Sequence, residues 1–201
     1  MSKAKTAVLV SGGGTNLQAL IDAERAGKLP HVQFVSVISS RPDAYALTRA
    51  ENAGIPGHVA ARRGKTQEEF EREILALLER DGAQLIILAG FMSILSADFV
   101  GRYPRRILNV HPALLPAFGG KGYYGLHVHE AALARGVKVT GATVHFVNEI
   151  ADGGEIILQK AVDVLPGDTP EALQRRVMEQ AEWIILPQAA EIAAREILSQ
   201  A

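Results

Sequence analysis

Thr6-Ala7-Val8-Leu9-Val10-Ser11-Gly12-Gly13-Gly14-Thr15-Asn16-Leu17 decides the fold class. An apolar run of strand length enters a glycine turn, and a helical pattern over residues 15–26 leaves it. The run shows no polar alternation, so the strand is expected to be buried on both faces, as in a parallel sheet covered by helices. The same unit returns downstream. A strand is expected over 32–39 and a helix over 43–53. Thr66 and Glu69 form a capping box for the next helix, which carries Phe70, Ile74, Leu77 and Leu78 on one face. Apolar strands over 85–89 and 107–110 flank a short helix capped by Ser96. Strand and helix in repetition imply a parallel sheet between helical layers.

The pattern then changes. Residues 137–147 and 155–165 read as two consecutive strands, and Val144 and Phe146 alternate with polar neighbours. The short link holding Asp152-Gly153-Gly154 makes them an antiparallel pair. A long final helix starts at Thr169 as N-cap with Pro170 in the first turn, and its apolar stripe is Leu173, Val177, Ala181, Ile184 and Ile185. Pro187 is expected to kink or end it. The expected class is α/β: one mixed sheet over residues 1–201 as a single domain, Rossmann-like and parallel in its N-terminal half, antiparallel in its C-terminal strands, with helices on both faces.

Composition narrows the function. A chain of 201 residues that is 48% hydrophobic and 21% charged can bury a full core. A net charge of −1 argues against nucleic acid or an anionic membrane as partner. The absence of cysteine removes disulfides, zinc–thiolate sites and thiol nucleophiles, and fits a reducing compartment. The basic start, Met1-Ser2-Lys3-Ala4-Lys5-Thr6, precedes an apolar run too short for a signal peptide, and no stretch approaches a membrane span. A cytoplasmic protein is expected, with small molecules as partners.

Three segments carry chemistry. The Ser11–Gly14 turn lets backbone approach a ligand, and the free amides at the helix start suit a phosphate, with Thr15 and Asn16 adding donors. A dinucleotide fingerprint would need glycine where Leu17 stands and a carboxylate after the second strand, where Ser39-Ser40-Arg41 stands instead. Arg41 keeps a 2′-phosphate cofactor open. Asn109 and His111, one residue apart at a strand end, suit a reaction in which an oxyanion forms and a proton moves. Asp152 would complete that site if the hairpin turn met His111, favouring the charged imidazole and fixing its orientation. Met92, Ile94 and Leu95 either pack in the core or line a slot for a flat heterocycle. Tyr123 and Tyr124 lie in a glycine-rich loop that suits a flap. His127, His129 and His145 raise a metal, but no carboxylate spacing supports one, and none is expected.

Taken together, Ser11-Gly-Gly-Gly-Thr-Asn16-Leu-Gln18, Ala89-Gly-Phe-Met92-Ser-Ile-Leu95, Asn109-Val-His111-Pro-Ala-Leu-Leu-Pro116, His145-Phe-Val147 and Asp152-Gly-Gly154 resemble the phosphoribosylglycinamide formyltransferase family, the folate-dependent enzymes of purine synthesis. The resemblance covers nearly the whole chain and implies the formyltransferase fold. It implies 10-formyltetrahydrofolate as co-substrate and no metal. It assigns catalysis to Asn109, His111 and Asp152, and the substrate phosphate to Gly14, Thr15 and Asn16. Glu182 would contact the glycinamide. Met92, Ser93, Ile94, Leu95, Val147, Asn148, Glu149, Ile150 and Ala151 would hold the folate. Monomer and homodimer are both compatible with it.

Two features depart from the family pattern. Gln67 stands where many relatives carry a basic residue for the folate tail, with Arg63 and Lys65 nearby. The loop over 119–124 is longer than in the shortest relatives. Competing readings are a hydrolase of the same folate, which usually carries an extra N-terminal domain, and a transfer-RNA formyltransferase, which usually carries an extra C-terminal one. From other classes come an NADP-binding reductase and a nucleotide sensor.

Overall fold

Strand β1 (Ala4–Val10) leads through the glycine turn into α1 (Thr15–Arg25), and β2 (Val32–Ser39) follows it into α2 (Tyr45–Asn52). A three-residue strand, β3 (Gly57–Val59), precedes α3 (Gln67–Asp81), β4 (Leu85–Leu88), α4 (Ala97–Gly101) and β5 (Ile107–His111). Then come α5 (Leu126–Arg135), β6 (Val139–Phe146), β7 (Ile156–Asp163), α6 (Pro170–Val177) and α7 (Trp183–Ser199). This computed structural model describes residues 2–200; Met1, which opens the basic N-terminal stretch, and Ala201 lie outside the described residues.

All seven strands join one sheet in the order β3-β2-β1-β4-β5-β6-β7. Pairings from β3 to β5 are parallel, while β5–β6 and β6–β7 are antiparallel. The mixed sheet expected from the sequence is therefore present. Strand order reverses between β1 and β4, and open α/β sheets hold ligands in the crevice beyond the strand ends at such a point. The turn after β1, the loop after β4 and the carboxyl end of β5 all open there.

Two apolar layers sandwich the sheet. One packs Leu17, Leu20 and Ile21 of α1 and Leu186, Ala190 and Ile197 of α7 against Val8, Val10, Leu108 and Val144. The other packs Phe70, Ile74 and Leu78 of α3 and Phe99 of α4 against Ala7, Leu9, Ile86 and Ile107. The capping box at α3 is intact: Glu69 N donates to Thr66 Oγ1 at 3.2 Å, and Thr66 N donates to Glu69 Oε2 at 2.9 Å.

Four details differ from the sequence reading. β3 and α5 were not expected: β3 is too short to leave a pattern, and α5 opens with Leu126-His127-Val128-His129, which mixes apolar and polar positions. The final helix is not continuous but is interrupted by a π-helical turn, Met178–Glu182, in which hydrogen bonds run i to i+5. Below that wider turn Ile184 leaves the apolar stripe and is 42% exposed, while Ile185 stays in it. Pro187 does not end the helix, since α7 runs through it to Ser199; the irregularity lies upstream, in the π turn.

The β6–β7 turn depends on close backbone approach. A Cβ on Gly154 would stand 1.7 Å from the Phe146 carbonyl oxygen. Gly154→Ala is therefore expected to open the turn and destabilise the protein by about 2–4 kcal/mol. Gly101→Ala, on an open surface of α4 with nothing within 4 Å, should leave stability unchanged or slightly raised. Thermal denaturation of the two variants compares them directly.

Candidate active site

Asn109 and His111 are two residues apart on β5, so the pleat sends both side chains to one face of the sheet. β6 runs antiparallel beside it and pairs His145 with Asn109 and Thr143 with His111. The polar positions of β6 therefore join those of β5, while Val144 and Phe146 enter the core on the other face. The turn after β6 curls back over this surface and delivers Asp152 with φ 55, a left-handed conformation that Asp tolerates better than most residues.

The three residues paired by the sequence thus meet. Asp152 Oδ2 lies 3.5 Å from His111 Nδ1 and accepts a hydrogen bond from Gly120 N at 2.8 Å. Its Oδ1 accepts from Asn109 Nδ2 at 3.4 Å and lies 3.6 Å from His145 Nε2. Burial pushes the Asp152 carboxyl up, but the contact with His145, the His111 ring and the Gly120 amide together carry it below the ordinary carboxylate range. His111 Nε2 donates to the Phe118 carbonyl at 2.7 Å, so both of its ring nitrogens are engaged.

His145 is the residue that sequence reading left out of the site. Its Nδ1 donates to the Phe146 carbonyl at 2.8 Å, which leaves Nε2 to accept from Asn109 Nδ2 at 3.2 Å. The register that sets it across from Asn109 is tertiary, and only its alternation with Val144 and Phe146 hinted at the face it occupies. His129 is the second addition. It is fully buried on α5 and lines the same cleft, and neither ring nitrogen finds a protein partner among the described residues. Burial, and then the nearby His111, push it down to about 4, so the ring is neutral at pH 7. His127, by contrast, is exposed and paired with Glu130 on α5. Among the described residues no group of three or more His, Asp or Glu side chains is placed to hold a metal.

A cleft of about 690 Å³ runs from this cluster past the loop after β4. Met92, Ser93, Ile94 and Leu95 line one wall, and Val147, Asn148, Glu149, Ile150 and Ala151 line another. Asn16 and Glu182 close the far end, where Asn16 Nδ2 donates to Glu182 Oε2 at 2.7 Å. The π turn carries Glu182 to the cleft, whereas Ala181 beside it faces the core. Burial pushes the Glu182 carboxyl up, and the hydrogen bond from Asn16 only partly opposes it.

Gly14 and Thr15 sit beside the cleft and not in its lining. Gly14 has φ 73, and a Cβ there would come within 2.7 Å of the Ala46 Cβ, so the position requires glycine. No side chain caps the start of α1, which leaves its first amides for an anion. Thr15 lines a neighbouring groove, and its hydroxyl lies 4.0 Å from Met178 Sδ at the cleft's edge. Arg41, which kept a 2′-phosphate cofactor open, is held by Asp43 in a two-pronged pair at 3.0 and 2.7 Å. Near Gln67, Lys65 is paired with Glu73, while Arg63 is exposed.

A side-chain amide and an imidazole sharing one buried carboxylate, beside an uncapped helix start and an apolar slot, are what a group-transfer enzyme of the α/β class would use. The family model described as formyl transferase matches residues 4–190, and the chain belongs to that family. It is 44% identical over 184 residues to the phosphoribosylglycinamide formyltransferase of Haemophilus influenzae, covering 91% of this chain and 84% of that protein. It is 46% identical to the trifunctional purine biosynthetic protein adenosine-3 of Bos taurus over 96% of this chain, which spans only 18% of that larger protein. The crystal structure of glycinamide ribonucleotide transformylase 1 from Symbiobacterium toebii superposes with a TM-score of 0.90 at 42% identity, over 96% of this chain and 89% of that one.

Glu182 yields a test of the site's energetics. A carboxyl raised above its ordinary value of 4.5 favours the fold while protonated and weakens it as pH rises through that value. Glu182→Gln is permanently neutral and keeps an acceptor for Asn16. It should raise stability at pH 7 by about 1–3 kcal/mol, the usual range for a poorly compensated buried group. The gain should vanish below about pH 4. Paired denaturation curves at the two pH values measure it.

Proposed function

We propose that this protein transfers the formyl group of 10-formyltetrahydrofolate to the amine of 5′-phosphoribosylglycinamide, giving formylglycinamide ribonucleotide in purine biosynthesis. The observation that carries the reading is the meeting of Asn109, His111 and Asp152 at one end of a cleft whose other walls suit a flat heterocycle and a nucleotide. The folate pterin lies between the 92–95 loop and the 147–151 turn. The ribose phosphate rests on the start of α1, at Gly14, Thr15 and Asn16, and Glu182 receives the glycinamide end. The whole chain acts as one formyltransferase domain in the cytoplasm, as a monomer or homodimer. It takes small molecules and needs no metal, nucleic acid or membrane. No helix among the described residues is long and apolar enough to cross a bilayer.

The amine attacks the formyl carbon and the carbonyl oxygen becomes an oxyanion. Asn109 Nδ2, held between Asp152 and His145 by contacts of 3.4 and 3.2 Å, turns one N–H to that charge. Its present bonds are long, as such bonds often are before a substrate arrives. His111, aligned by the Asp152 carboxylate, supports the same charge. It passes a proton to the departing folate nitrogen, directly or through water, once its Nε2–H leaves the Phe118 carbonyl. The proton lost by the amine balances the one gained by the leaving nitrogen. Much of the rate comes from holding the two substrates in contact.

The decisive assay follows folate absorbance with and without the ribonucleotide amine. Turnover that requires the amine supports transfer, and formate release without it identifies a hydrolase instead. Asn109→Ala should lower kcat about 10²–10³-fold, the cost of one oxyanion donor. His111→Ala should lower it by about 10²–10⁴-fold with substrate binding retained. Full turnover in the His111 variant would refute the assignment.

A further inference from the structure

The wall of the cleft formed by residues 92–95 has no regular secondary structure, yet it presents apolar side chains to open space. Met92 is 59% exposed and Ile94 68% exposed. Apolar packing anchors only its flanks, with Leu95 in the core and Phe91 stacked on Phe70, and leaves Met92 to Ile94 without apolar cover. Polar contacts at three points hold that stretch. At its start, Met92 N donates to Ser11 Oγ at 3.0 Å, and Ser11 Oγ in turn bonds Ser40 Oγ at 2.7 Å. In its middle, the Ile94 carbonyl accepts from Gln67 Nε2 at 2.9 Å. At its end, Ser96 N donates to Glu71 Oε1 at 2.6 Å, and Ser96 Oγ donates to Glu71 Oε2. The second proton of Gln67 Nε2 goes to the same Glu71 Oε1 at 2.6 Å, which joins the middle and end anchors. Among the described residues, the other amides and carbonyls between Met92 and Leu95 find no protein partner and remain available to a ligand.

Gln67 is held from behind as well. Arg62 Nη2 donates to its Oε1 at 3.3 Å. The Arg62 guanidinium lies 5.5 Å over the Phe70 ring, and Phe70 stacks on Phe91 at 6.2 Å. Both N–H groups of Gln67 are therefore spent on protein and its oxygen accepts from Arg62, so no donor is left for solvent. A residue serving the folate tail would instead leave a donor free at the cleft mouth.

We infer that Gln67, bridging the Ile94 carbonyl and the buried Glu71 carboxylate, is a positioning residue that presets the heterocycle-binding loop and makes no contact with the tail of the co-substrate. The inference rests on the proposed placement of the folate at residues 92–95. A loop fixed before binding loses less conformational entropy when the ligand arrives, so the clamp acts on affinity and leaves the chemical step alone. Its effect should be blind to tail length, because the clamp touches the wall that faces the ring.

The test is Gln67→Leu, which keeps the bulk and removes both donors, assayed with monoglutamyl and polyglutamyl 10-formyltetrahydrofolate. KM for both forms should rise by the same factor, about 3–10-fold, the expected cost of losing the single bond that Gln67 makes to the loop itself, at the Ile94 carbonyl. KM for the amine substrate should not move, and kcat should fall far less than KM rises. Hydrogen exchange at the Met92 and Ser96 amides should quicken while the body of α3 stays protected. A KM change confined to the polyglutamyl form would overturn the inference in favour of a tail contact. Unchanged KM together with unchanged exchange would overturn it outright. If the wild-type protein does not consume formylfolate at all, the functional reading fails by itself, and the exchange measurement alone decides whether the clamp exists.

Discussion

One buried carboxylate joins the two halves of this sheet. Asp152 arrives from the antiparallel hairpin, while Asn109 and His111 stand on the last parallel strand. A buried charge is costly unless it is paired and hydrogen-bonded, and Asp152 meets that condition through the His111 ring, the Asn109 side-chain amide and the Gly120 backbone. The left-handed backbone at Asp152 and the close approach at Gly154 hold the turn in place around it. Because its neighbours come from β5, β6 and the loop holding Gly120, none of these segments can shift without leaving the carboxylate short of contacts. The geometry of the site is therefore set by electrostatic necessity as much as by the apolar core beneath it.

The parallel half was legible because its signals are local. Unbroken apolar runs, a glycine turn and the Thr66–Glu69 capping box each declare themselves within a few residues. So did the chemistry of Asn109 and His111, since two polar groups at a strand end need an explanation. Asp152 was readable as a turn residue, and its meeting with His111 could be anticipated only as a condition. His145 and His129 were not legible as site residues. One depends on the β5–β6 register and the other on a helix with a weak periodic pattern, and both are settled by packing between distant segments. Pro187 does not end the last helix, because α7 runs through it, and the π turn that interrupts the C-terminal helix lies five or more residues upstream.

That π turn shows stability yielding to function. A regular helix would keep the stripe of Leu173, Val177 and Ala181 running smoothly into Ile184 and Ile185. The wider turn exposes Ile184 and brings Glu182 to the end of the cleft, where burial works against its charge. Such turns cluster at functional sites because they re-aim side chains that a regular helix cannot. Asn16, at the start of α1, gives Glu182 its hydrogen-bond partner and links the first helix to the π turn. The spacing between the start of α1 and the Glu182 carboxyl is thus fixed by one contact between the first helix and the π turn.

The resting site is satisfied from within. His111 bonds the Phe118 carbonyl, Asn109 lies between Asp152 and His145, and Gly120 holds the carboxylate. Substrates entering it must exchange these bonds for their own, so net gain per contact is small and arrangement matters more than number. The 118–120 segment bonds both members of the imidazole–carboxylate pair, and Phe118 itself sits at φ 53, a strained conformation for an aromatic residue. One short segment thus contacts both groups, the imidazole through the Phe118 carbonyl and the carboxylate through the Gly120 amide.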